Sequence, residues 1–546
     1  MPLQKNQVLT LRVERLSSDG SGVAHSPDGE TVFIPGAAPG DEARVRIVKD
    51  CKRYAFGILD EVLTPSPDRI PVDCAVAGPC GGCSLRHLDY AAELRAKQEN
   101  VADAFARIGG LDVPVLPIVG SPEVNRYRNK VQFPVGVDKS GKPCIGFYAG
   151  RTHRIVPCPD CRLQPGVLNE IGNALCAFFA EKGIQPYSEE TGRGLVRHIF
   201  LRRGAHSGQI MVCLVCTRAK LPSAEELCTR LKAQFAEITT ILLNVNAKNT
   251  NVILGTETHT LYGPGYIEDT LCGVPVQLGP LSFYQVNTLA AEQLYGIAAQ
   301  YAQLTPDDLL LDLYCGMGTI GLSMAAHCRE LIGVEIVPEA IESAKANAAR
   351  MGADVAAKSR FFCADAGQAA TRLAAEGLHP DIVMLDPPRK GCDEATLSAV
   401  VRMSPRRVVY VSCNPATAAR DAAWLEQNGY HAEKVQPVDL FPRTRHCEAV
   451  LLLSKLNVDR HIEVEVSMDE LDVTAAESKA TYNEIREHVW EHHQLKVSNL
   501  YIAQVKQKYG IIERENYNKA KNENAKQPKC PKEKEDAIVE ALKHFQ

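Results

Sequence analysis

The chain has 546 residues, of which 45% are hydrophobic and 23% charged, and its formal net charge is −5. This length exceeds what one hydrophobic core serves and predicts three or four domains. The mild negative charge argues against a protein that coats nucleic acid nonspecifically, but it leaves room for a local basic groove. No run of eighteen apolar residues occurs, and the segment MPLQKNQ lacks the form of a signal peptide, so we expect a cytoplasmic protein with no membrane partner.

The first predicted domain, residues 1–62, alternates β-rich runs with glycine and proline turns, which predicts a small β-barrel. Basic side chains lie on its strands near the aromatic residues Phe33, Tyr54 and Phe56. A basic barrel with exposed rings suits a nucleic-acid strand, because cations follow the phosphate backbone and rings stack on bases. The same pattern also fits a solvated charged face with the aromatic residues in the core. The basic residues are Arg12, Arg15, Arg44, Arg46, Lys49, Lys52 and Arg53.

The second predicted region, residues 63–287, begins with a set of cysteines and continues as an α+β segment. The cysteines form the pattern Cys74-x5-Cys80-x2-Cys83, and Cys161 follows after 77 further residues. In a reducing cytosol such a set indicates a metal site, either zinc or an iron–sulfur cluster. Cys158 competes with Cys161 for the fourth position, because the segment VPCPDCRLQP contains both.

Residues 288–455 alternate apolar strands with helices, which predicts a parallel, doubly wound α/β sheet of the Rossmann type. Residues 456–546 are rich in charge and predict helices over 475–493, 497–509 and 533–544. No motif in this last region indicates a function.

The segment LLLDLYCGMGTIGL predicts a ligand-binding turn between a buried strand, which ends near Asp312, and a helix. Its three glycines, of which Gly316 is the first, let the backbone approach a ligand closely. They match the dinucleotide pattern G-x-G-x-x-G, but the turn lacks a phosphate partner. Glu335 ends the next strand, where it can bind ribose hydroxyls, and Asp365 follows a third strand near the expected adenine edge. This arrangement favours S-adenosylmethionine over NAD.

Two further loops are predicted at the same edge of the sheet. Asp386 begins the rigid loop DPPRKG, where it can accept hydrogen bonds from a planar substrate. The next strand delivers Cys413, in a loop with Asn414 and Pro415. Most free cysteines are small core residues, but this one follows a strand end among the expected cofactor ligands, where an exposed thiolate can form.

A thiolate beside a methyl sulfonium suits methylation of a uracil ring. Carbon 5 of uracil is a poor nucleophile until a thiolate adds to carbon 6, and the proton on carbon 5 must then leave, so a base is required. Glu448 is the candidate base, since it begins the strand EAVLLLSK, and His446 lies on the same side two residues earlier. A carboxylate exposed at a strand edge is the alternative for Glu448, but its pairing with the segment SCNP favours the base.

Four segments in this order, LDLYCGMGTIGL, LDPPRKG, VVYVSCNPAT and DLFPRTRHCE, resemble the S-adenosylmethionine-dependent RNA uracil-5 methyltransferases. SFYQVN at 282–287 resembles the cofactor-contacting motif of that family, and NRYRNKVQFPV at 125–135 resembles its substrate-side strand. The resemblance implies that Cys413 is the nucleophile and Glu448 the proton acceptor. The residues implied to bind the cofactor or frame the base are Gln285, Tyr314, Gly316, Glu335, Asp365 and Asp386.

The cysteine segment CGGCSLRH resembles the 23S ribosomal RNA branch of this family, which carries a [4Fe–4S] cluster on four such cysteines. The implied ligands are Cys74, Cys80, Cys83 and Cys161. The N-terminal domain resembles the TRAM barrel, of the OB type. Barrel and cluster together favour 23S rRNA over transfer RNA, because the transfer RNA branch is expected to be shorter and to lack both. We therefore expect a monomer that binds 23S rRNA with its target uridine flipped out and stacked near Phe283.

Three alternatives stay open at this point. One is a transfer RNA uracil-5 methyltransferase, within the same family. Another is a radical S-adenosylmethionine enzyme with a TRAM-like barrel, but that class requires a Cys-x3-Cys-x2-Cys loop, which the sequence lacks. The third is a catalytically inactive RNA-binding assembly factor, against which Cys413 and Glu448 argue.

Overall fold

The computed structural model describes residues 3–150, 152–456, 482–493, 495, 497–508 and 531–544. The chain forms two compact units, Met1–Leu456 and Asn457–Gln546. None of the helices in the described ranges is both long enough and apolar enough to cross a membrane.

The N-terminal strands form a closed barrel in the order β1-β2-β3-β5-β4. These strands are β1 (Val8–Leu16), β2 (Ser21–His25), β3 (Thr31–Pro35), β4 (Glu42–Asp50) and β5 (Tyr54–Thr64). Inward and outward residues alternate along β4, where Ala43, Val45 and Ile47 are buried while Arg44 and Arg46 are exposed. The predicted β-barrel is therefore confirmed.

The three aromatic residues of the barrel form a cluster outside its core. The ring centroids of Phe33 and Tyr54 lie 5.7 Å apart, those of Tyr54 and Phe56 5.6 Å apart, and Tyr54 is 39% exposed. The buried core of the barrel is built from aliphatic residues instead. Of the two interpretations of this pattern, the structure therefore favours exposed rings.

The segment that follows the barrel carries the cysteines and then a long helix. This helix, α1 (Tyr90–Asp103), continues as a π-helical segment, Ala104–Gly109. It begins after Asp89, whose carboxylate accepts hydrogen bonds from the backbone N–H groups of Ala91 and Ala92.

The central region is built on a seven-stranded sheet with the order β12-β11-β10-β9-β6-β7-β8. Its strands are β6 (Lys130–Val137), β7 (Pro143–Tyr148), β8 (Ile155–Pro157), β9 (Val196–Arg203), β10 (Ile210–Cys216), β11 (Ile238–Val245) and β12 (Glu257–Tyr262). Helices α2 (Gly166–Glu181) and α3 (Ala224–Gln234) pack on one face of this sheet. The other face shares a core with the last third of the first unit, and β10 is consequently buried along its whole length.

The last third of the first unit contains a second seven-stranded sheet, with the order β17-β16-β15-β18-β19-β21-β20. Its strands are β15 (Leu309–Leu313), β16 (Glu330–Glu335), β17 (Ser359–Cys363), β18 (Ile382–Leu385), β19 (Arg407–Ser412), β20 (Tyr430–Val438) and β21 (Glu448–Lys455). The first five strands of this order are parallel, as predicted. Only β21 differs in direction, because it pairs antiparallel with both β19 and β20, so that β20 runs the same way as the first five strands.

Helices cover both faces of this sheet, which confirms the predicted doubly wound α/β fold. A small hairpin of β13 (Ile267–Leu271) and β14 (Val274–Leu278) precedes them. The helices are α4 (Thr288–Ala302), α5 (Thr319–Met324), α6 (Pro338–Met351), α7 (Ala353–Lys358), α8 (Ala366–Ala375), α9 (Glu394–Met403) and α10 (Pro415–Gln427), with a 3-10 turn at Ala325–His327.

The second unit contains three described helices, α11 (Tyr482–His493), α12 (Asn499–Lys508) and α13 (Lys532–His544). They share a small apolar core that includes Ile485, Ile502 and Ile538. These helices agree with the three that the sequence predicts. The predicted residues 475–481 and 509 lie outside the described ranges.

Candidate active site

The carboxyl ends of the parallel strands bring four of the predicted residues to one edge of the sheet. Leu313 pairs with Leu385 in register, so Tyr314 and Asp386 leave neighbouring strands side by side. Glu335 ends β16, and Cys413 directly follows β19. Open α/β sheets bind their ligands at this edge, because the loops there diverge and leave a crevice.

The glycine turn between β15 and α5 is held in an unusual backbone conformation. Tyr314 and Gly316 have φ angles of +67° and +56°, which is a left-handed conformation that only glycine adopts without strain. The backbone N–H of Gly316 donates to Oε2 of Glu335 at 3.2 Å, and the N–H of Val337 donates to Oε1 at 2.9 Å. The turn and Glu335 are therefore positioned as one unit. Ile336, next to Glu335, is 61% exposed and offers an apolar surface for a flat ring.

Three carboxyl groups lie in the site, of which those of Asp312 and Glu448 are buried and that of Asp386 is partly buried. Burial raises the pKa of Asp386 to about 7. Burial, with the charge of Asp386 as the next cause, raises the pKa of Glu448 to about 8, and the cation of Arg389 opposes this shift. Burial likewise raises the pKa of Asp312 to about 8, although its Oδ2 accepts a hydrogen bond from Gly321 at 3.0 Å. Oδ1 of Asp312 is buried without a hydrogen-bond partner.

Cys413 lies between β19 and α10, where the chain turns sharply. Asn414 caps α10 by accepting from the N–H of Ala416 at 3.2 Å, and its amide donates to the carbonyl of Arg389 at 2.9 Å. Cys413 is partly exposed, in contrast to a core cysteine. Burial of the thiol, followed by the charges of Glu448 and Asp386, raises the pKa of Cys413 to about 11. The structure thus brings Cys413, Glu448 and Asp386 within electrostatic reach of one another.

Glu448 begins β21 and is only 5% exposed, which excludes the alternative of a solvated carboxylate at a strand edge. His446 precedes the strand and is half-buried, with its ring centroid 6.1 Å from that of Phe441. Burial and several nearby cations, Arg389 first among them, lower the pKa of His446. A neutral imidazole is therefore expected beside the proposed base.

Gln285 is held by neighbouring residues that the sequence analysis does not identify. Its side chain lies near the hydroxyl of Tyr295, a buried residue of α4, and that hydroxyl lies 3.4 Å from Oγ1 of Thr319. The amide of Asn129 donates to the backbone carbonyl of Gln285 at 2.8 Å. Tyr295 gave no signal in the sequence, because it occupies an ordinary core position of an amphipathic helix.

Phe283, two residues before Gln285, is 70% exposed. Its loop is held from beneath by the buried guanidinium of Arg202, which donates to the carbonyls of Gly279 at 2.9 Å and Ser282 at 2.7 Å. An exposed ring on a fixed loop is suited to stacking on a base.

Asp365 and Tyr314 both have polar neighbours within the protein. Asp365 caps α8 by accepting from the N–H of Gln368 at 3.1 Å, so it has a structural task besides the predicted one. The Tyr314 hydroxyl lies 3.4 Å from Oγ1 of Thr396, a buried residue of α9. These contacts leave the predicted cofactor roles of both residues as predictions.

The cysteines of the central region meet in a cavity of about 220 Å³, far along the chain from Cys413. The cysteines that line it are Cys74, Cys80, Cys83, Cys158 and Cys161. Cys158 and Cys161 interact with each other, so that protonation of one thiol depends on that of the other. Arg86 also lines the cavity, and its buried Nε and Nη2 lack hydrogen-bond partners.

The residues that line this cavity suit a negatively charged group bound by thiolates. The reason is that the buried guanidinium of Arg86, with two free N–H donor atoms, lies in the same cavity as the thiols. Within the described residues, however, no three His, Cys, Asp or Glu side chains are arranged so that they could hold a metal ion directly. The thiols therefore share one cavity without forming a finished coordination site.

Comparisons with known proteins identify the family. A model described as tRNA (Uracil-5-)-methyltransferase matches residues 207–456, and a TRAM domain model matches residues 2–59. An uncharacterized RNA methyltransferase of Halalkalibacterium halodurans is 43% identical over 84% of this chain and 99% of that protein. Another, from Clostridium tetani, is 40% identical over 83% of this chain and 98% of that protein. The chain belongs to the RNA uracil-5-methyltransferase family. The methyltransferase is accordingly an S-adenosylmethionine-dependent enzyme that acts on RNA.

A solved structure supports the fold of this methyltransferase. The Pyrococcus abyssi tRNA (uracil-54, C5)-methyltransferase, in complex with S-adenosyl-L-homocysteine, matches with a TM-score of 0.65 and 26% identity. The match covers 82% of this chain and 100% of that one. The expectation that transfer RNA methyltransferases are shorter stays a prediction, and the match leaves the RNA substrate of the methyltransferase undecided.

Proposed function

We propose that the methyltransferase transfers a methyl group from S-adenosylmethionine to carbon 5 of a specific uridine in 23S ribosomal RNA. The observation that supports this proposal is the register of β19 and β21, in which Ser412, the neighbour of Cys413, pairs with Ala449, the neighbour of Glu448. A nucleophilic thiol and a buried carboxyl group are the two groups that methylation of carbon 5 requires.

The chemistry then follows from these two side chains. The Cys413 thiolate adds to carbon 6 of the uracil, and the electron pair of the ring double bond moves to carbon 5 and the adjacent carbonyl. S-adenosylmethionine supplies the methyl group that carbon 5 takes up. Glu448, ionised, removes the proton from carbon 5, and the bond between Sγ and carbon 6 breaks as the ring double bond forms again. Cys413 leaves the cycle as a thiolate and Glu448 as a carboxylic acid.

The cofactor residues are proposed from the geometry of the strand edge and from the family motifs. Glu335 still has free lone pairs for ribose hydroxyls, while the exposed Ile336 offers a face for the adenine ring. Asp386, with its raised pKa, lies where it can bond to the cofactor or to the uracil. The remaining residues proposed to contact the cofactor are Gln285, Tyr314, Gly316 and Asp365.

A [4Fe–4S] cluster on Cys74, Cys80, Cys83 and Cys161 is part of the proposal. It is supported by the cavity that these thiols share and by Nε and Nη2 of Arg86, which are buried without hydrogen-bond partners. The separate nucleophile at Cys413 leaves the cluster without a catalytic step, so we assign it a structural or RNA-contacting role. The ultraviolet–visible spectrum and the iron and sulfide content of anaerobically purified protein test this part: about four of each per chain are expected, and iron-free protein would contradict it.

Ribosomal RNA is proposed because the cysteine set resembles that branch of the family. The Pyrococcus abyssi relative favours transfer RNA as the second candidate. Methylation of unmodified 23S rRNA and of transfer RNA transcripts by the full chain, followed by mapping of the modified base, separates the two. We expect 5-methyluridine in 23S rRNA with wild-type protein and none with Cys413→Ala. Methylation of transfer RNA alone would contradict the substrate, and methylation at another atom would contradict the reaction.

A further inference from the structure

The nine residues that join β20 to β21 form the loop that leads directly into Glu448. We call residues 439–447 the catalytic loop. We propose that Lys97, on α1, positions Glu448 through this loop, so that a buried lysine controls removal of the carbon 5 proton without touching the substrate. The inference rests on the proposed function, in which Glu448 accepts that proton.

Lys97 lies at the centre of a buried network that holds the start of the catalytic loop. Its Nζ donates to Oδ1 of Asp439 at 2.8 Å, to Oε1 of Glu93 at 2.7 Å and to the carbonyl of Phe441 at 3.1 Å. Lys97 is only 1% exposed, and Asp439 and Glu93 are fully buried. The three acceptors satisfy all three donors of the ammonium group, which a buried lysine requires.

Tyr90, one helical turn from Glu93, bonds to the same aspartate from the other side. Its hydroxyl donates to Oδ2 of Asp439 at 2.9 Å and accepts from the N–H of Ser121 at 2.8 Å. Both oxygens of Asp439 are thus bound to α1. Asp439 follows Val438, which pairs in register with Glu448 across β20 and β21. A displacement of Asp439 therefore reaches Glu448 through the strand pair.

The middle of the catalytic loop is held in a strained conformation by the same part of the chain. Arg443 has a φ angle of +69°, which is costly for a residue with a side chain. Its N–H donates to Oε1 of Glu93 at 2.7 Å, and its Nη1 donates to the carbonyl of Leu88 at 2.8 Å. Its carbonyl accepts from the N–H groups of Ser84 and Leu85 at 3.0 and 3.1 Å.

These contacts link the cysteine segment to the proposed base. Ser84 directly follows Cys83, and the helix that carries Lys97 begins six residues later. The cysteine segment and α1 thus fix a loop that lies more than 300 residues further along the chain. Because an error of about 1 Å in a catalytic group can cost roughly a hundredfold in rate, this support acts on catalysis as well as on folding.

The test compares the two halves of the reaction in Lys97→Met, Tyr90→Phe and a control, Arg95→Met. Arg95 lies on the same helix but is exposed and pairs with Asp68 outside the network. The first half is measured as the rate of covalent complex formation with RNA that contains 5-fluorouridine. The second half is measured as tritium release from RNA labelled at carbon 5 of uridine.

We expect tritium release to fall by roughly ten- to hundredfold in Lys97→Met and less in Tyr90→Phe, while complex formation changes by less than about threefold. Both variants should therefore accumulate a covalent complex with ordinary substrate RNA, and Arg95→Met should behave as wild type. If Lys97→Met does not fold, Tyr90→Phe carries the test, because it removes one hydroxyl and leaves the ion pairs in place. Equal losses in both halves, or unchanged tritium release, would overturn the inference.

Glu448→Gln separates this inference from the proposed function. If Glu448→Gln blocks tritium release while Tyr90→Phe and Lys97→Met do not slow it, only the positioning role of Lys97 fails. If Glu448→Gln releases tritium at the wild-type rate, Glu448 is not the base and the proposed function itself fails.

Discussion

Cys413 is the residue on which the proposed reaction depends, and its surroundings suppress its thiolate in the free protein. Burial and the carboxylates of Glu448 and Asp386 raise the pKa of Cys413 to about 11. Alkylation requires the thiolate, so labelling of Cys413 by iodoacetamide should increase about tenfold per pH unit between pH 7 and 10. Peptide mass spectrometry distinguishes Cys413 from the other thiols, and the exposed Cys363 serves as an internal reference.

Replacing Glu448 by Gln should shift this labelling profile to lower pH, because the substitution removes a negative charge that disfavours the thiolate. The reference thiol Cys363 should keep its profile in the variant. A flat profile for Cys413, or the same profile in both proteins, would contradict the electrostatic effect of Glu448 on Cys413.

The three carboxyl groups of the site make cofactor affinity depend on pH. The pKa values of Asp386, Asp312 and Glu448 are raised to about 7, 8 and 8. At pH 6 these groups are mostly protonated, and as the pH rises through these values they ionise and attract a cation. The affinity for S-adenosylmethionine, whose sulfonium is charged, should therefore increase from pH 6 to 8.5, and binding should release protons.

Isothermal titration in buffers of different ionisation enthalpy measures both quantities. S-adenosylhomocysteine has a neutral sulfur and is the matched control, so its affinity should change less over the same range. Equal slopes for the two ligands would contradict the proposed role of the carboxyl groups.

The sequence predicts the residues to which we assign the reaction, but not the residues that contact them. Cys413 and Glu448 follow from motifs in which residue type and position at a strand end have chemical meaning. Lys97 and Tyr295 do not, because a lysine in a helix is usually solvated and a tyrosine in an amphipathic helix usually fills the core. Their contacts form only when distant segments meet.

At the scale of elements, the position of the glycine turn depends on close packing of α5 against the sheet. A Cβ atom on Gly321 would lie 2.8 Å from both Oδ2 of Asp312 and Cδ1 of Leu331. Gly321→Ala should therefore push α5 from the strands, destabilise the protein by about 1–3 kcal/mol and weaken cofactor binding. Thermal unfolding and titration with S-adenosylmethionine measure the two effects.

Gly296→Ala is the matched control, because Gly296 lies in α4 with no neighbouring atom within 4 Å of an added Cβ. The substitution should be neutral or stabilising by up to about 1 kcal/mol, since alanine favours a helix. If the two alanine variants behaved alike, close packing at Gly321 would not be the reason for glycine there.

The direction of β21 is a feature of the sheet that the sequence pattern does not predict. The apolar runs of β18, β19 and β21 look alike in the sequence, yet β21 is antiparallel to β19. A buried strand on either side of a sheet needs the same apolar residues, so its direction follows from the connection rather than from composition. The nine-residue catalytic loop between β20 and β21 is too short for a crossover between parallel strands. Its length is therefore the feature of the sequence that indicates an antiparallel β21.

At the scale of the whole molecule, residues far apart in sequence share cores. Val101 and Phe105, from the predicted central region, are buried in the same cluster as Leu311 and Val383 of the second sheet. One hydrophobic core therefore contains residues from both sides of the predicted boundary at 287, and the boundaries at 62 and 455 stay predictions. Sequence patterns report local periodicity, whereas packing between distant segments depends on the complete fold.

The fold and the family were predictable because several motifs with chemical meaning occur together in order. The RNA substrate was not, because a transfer RNA enzyme also matches 82% of this chain. Recognition of one RNA depends on surface shape and charge, which short catalytic motifs do not encode.

The covalent complex between Cys413 and substrate RNA tests the central claim most directly. Full-length protein is incubated with S-adenosylmethionine and RNA that contains 5-fluorouridine, and the denatured complex is digested and sequenced by mass spectrometry. Fluorine cannot leave carbon 5 as a proton, so the reaction should stop with the nucleotide attached to Sγ of Cys413, and Cys413→Ala should form no complex. Absence of a complex in the wild-type protein, attachment to another residue, or methylation of carbon 5 by Cys413→Ala would contradict the account.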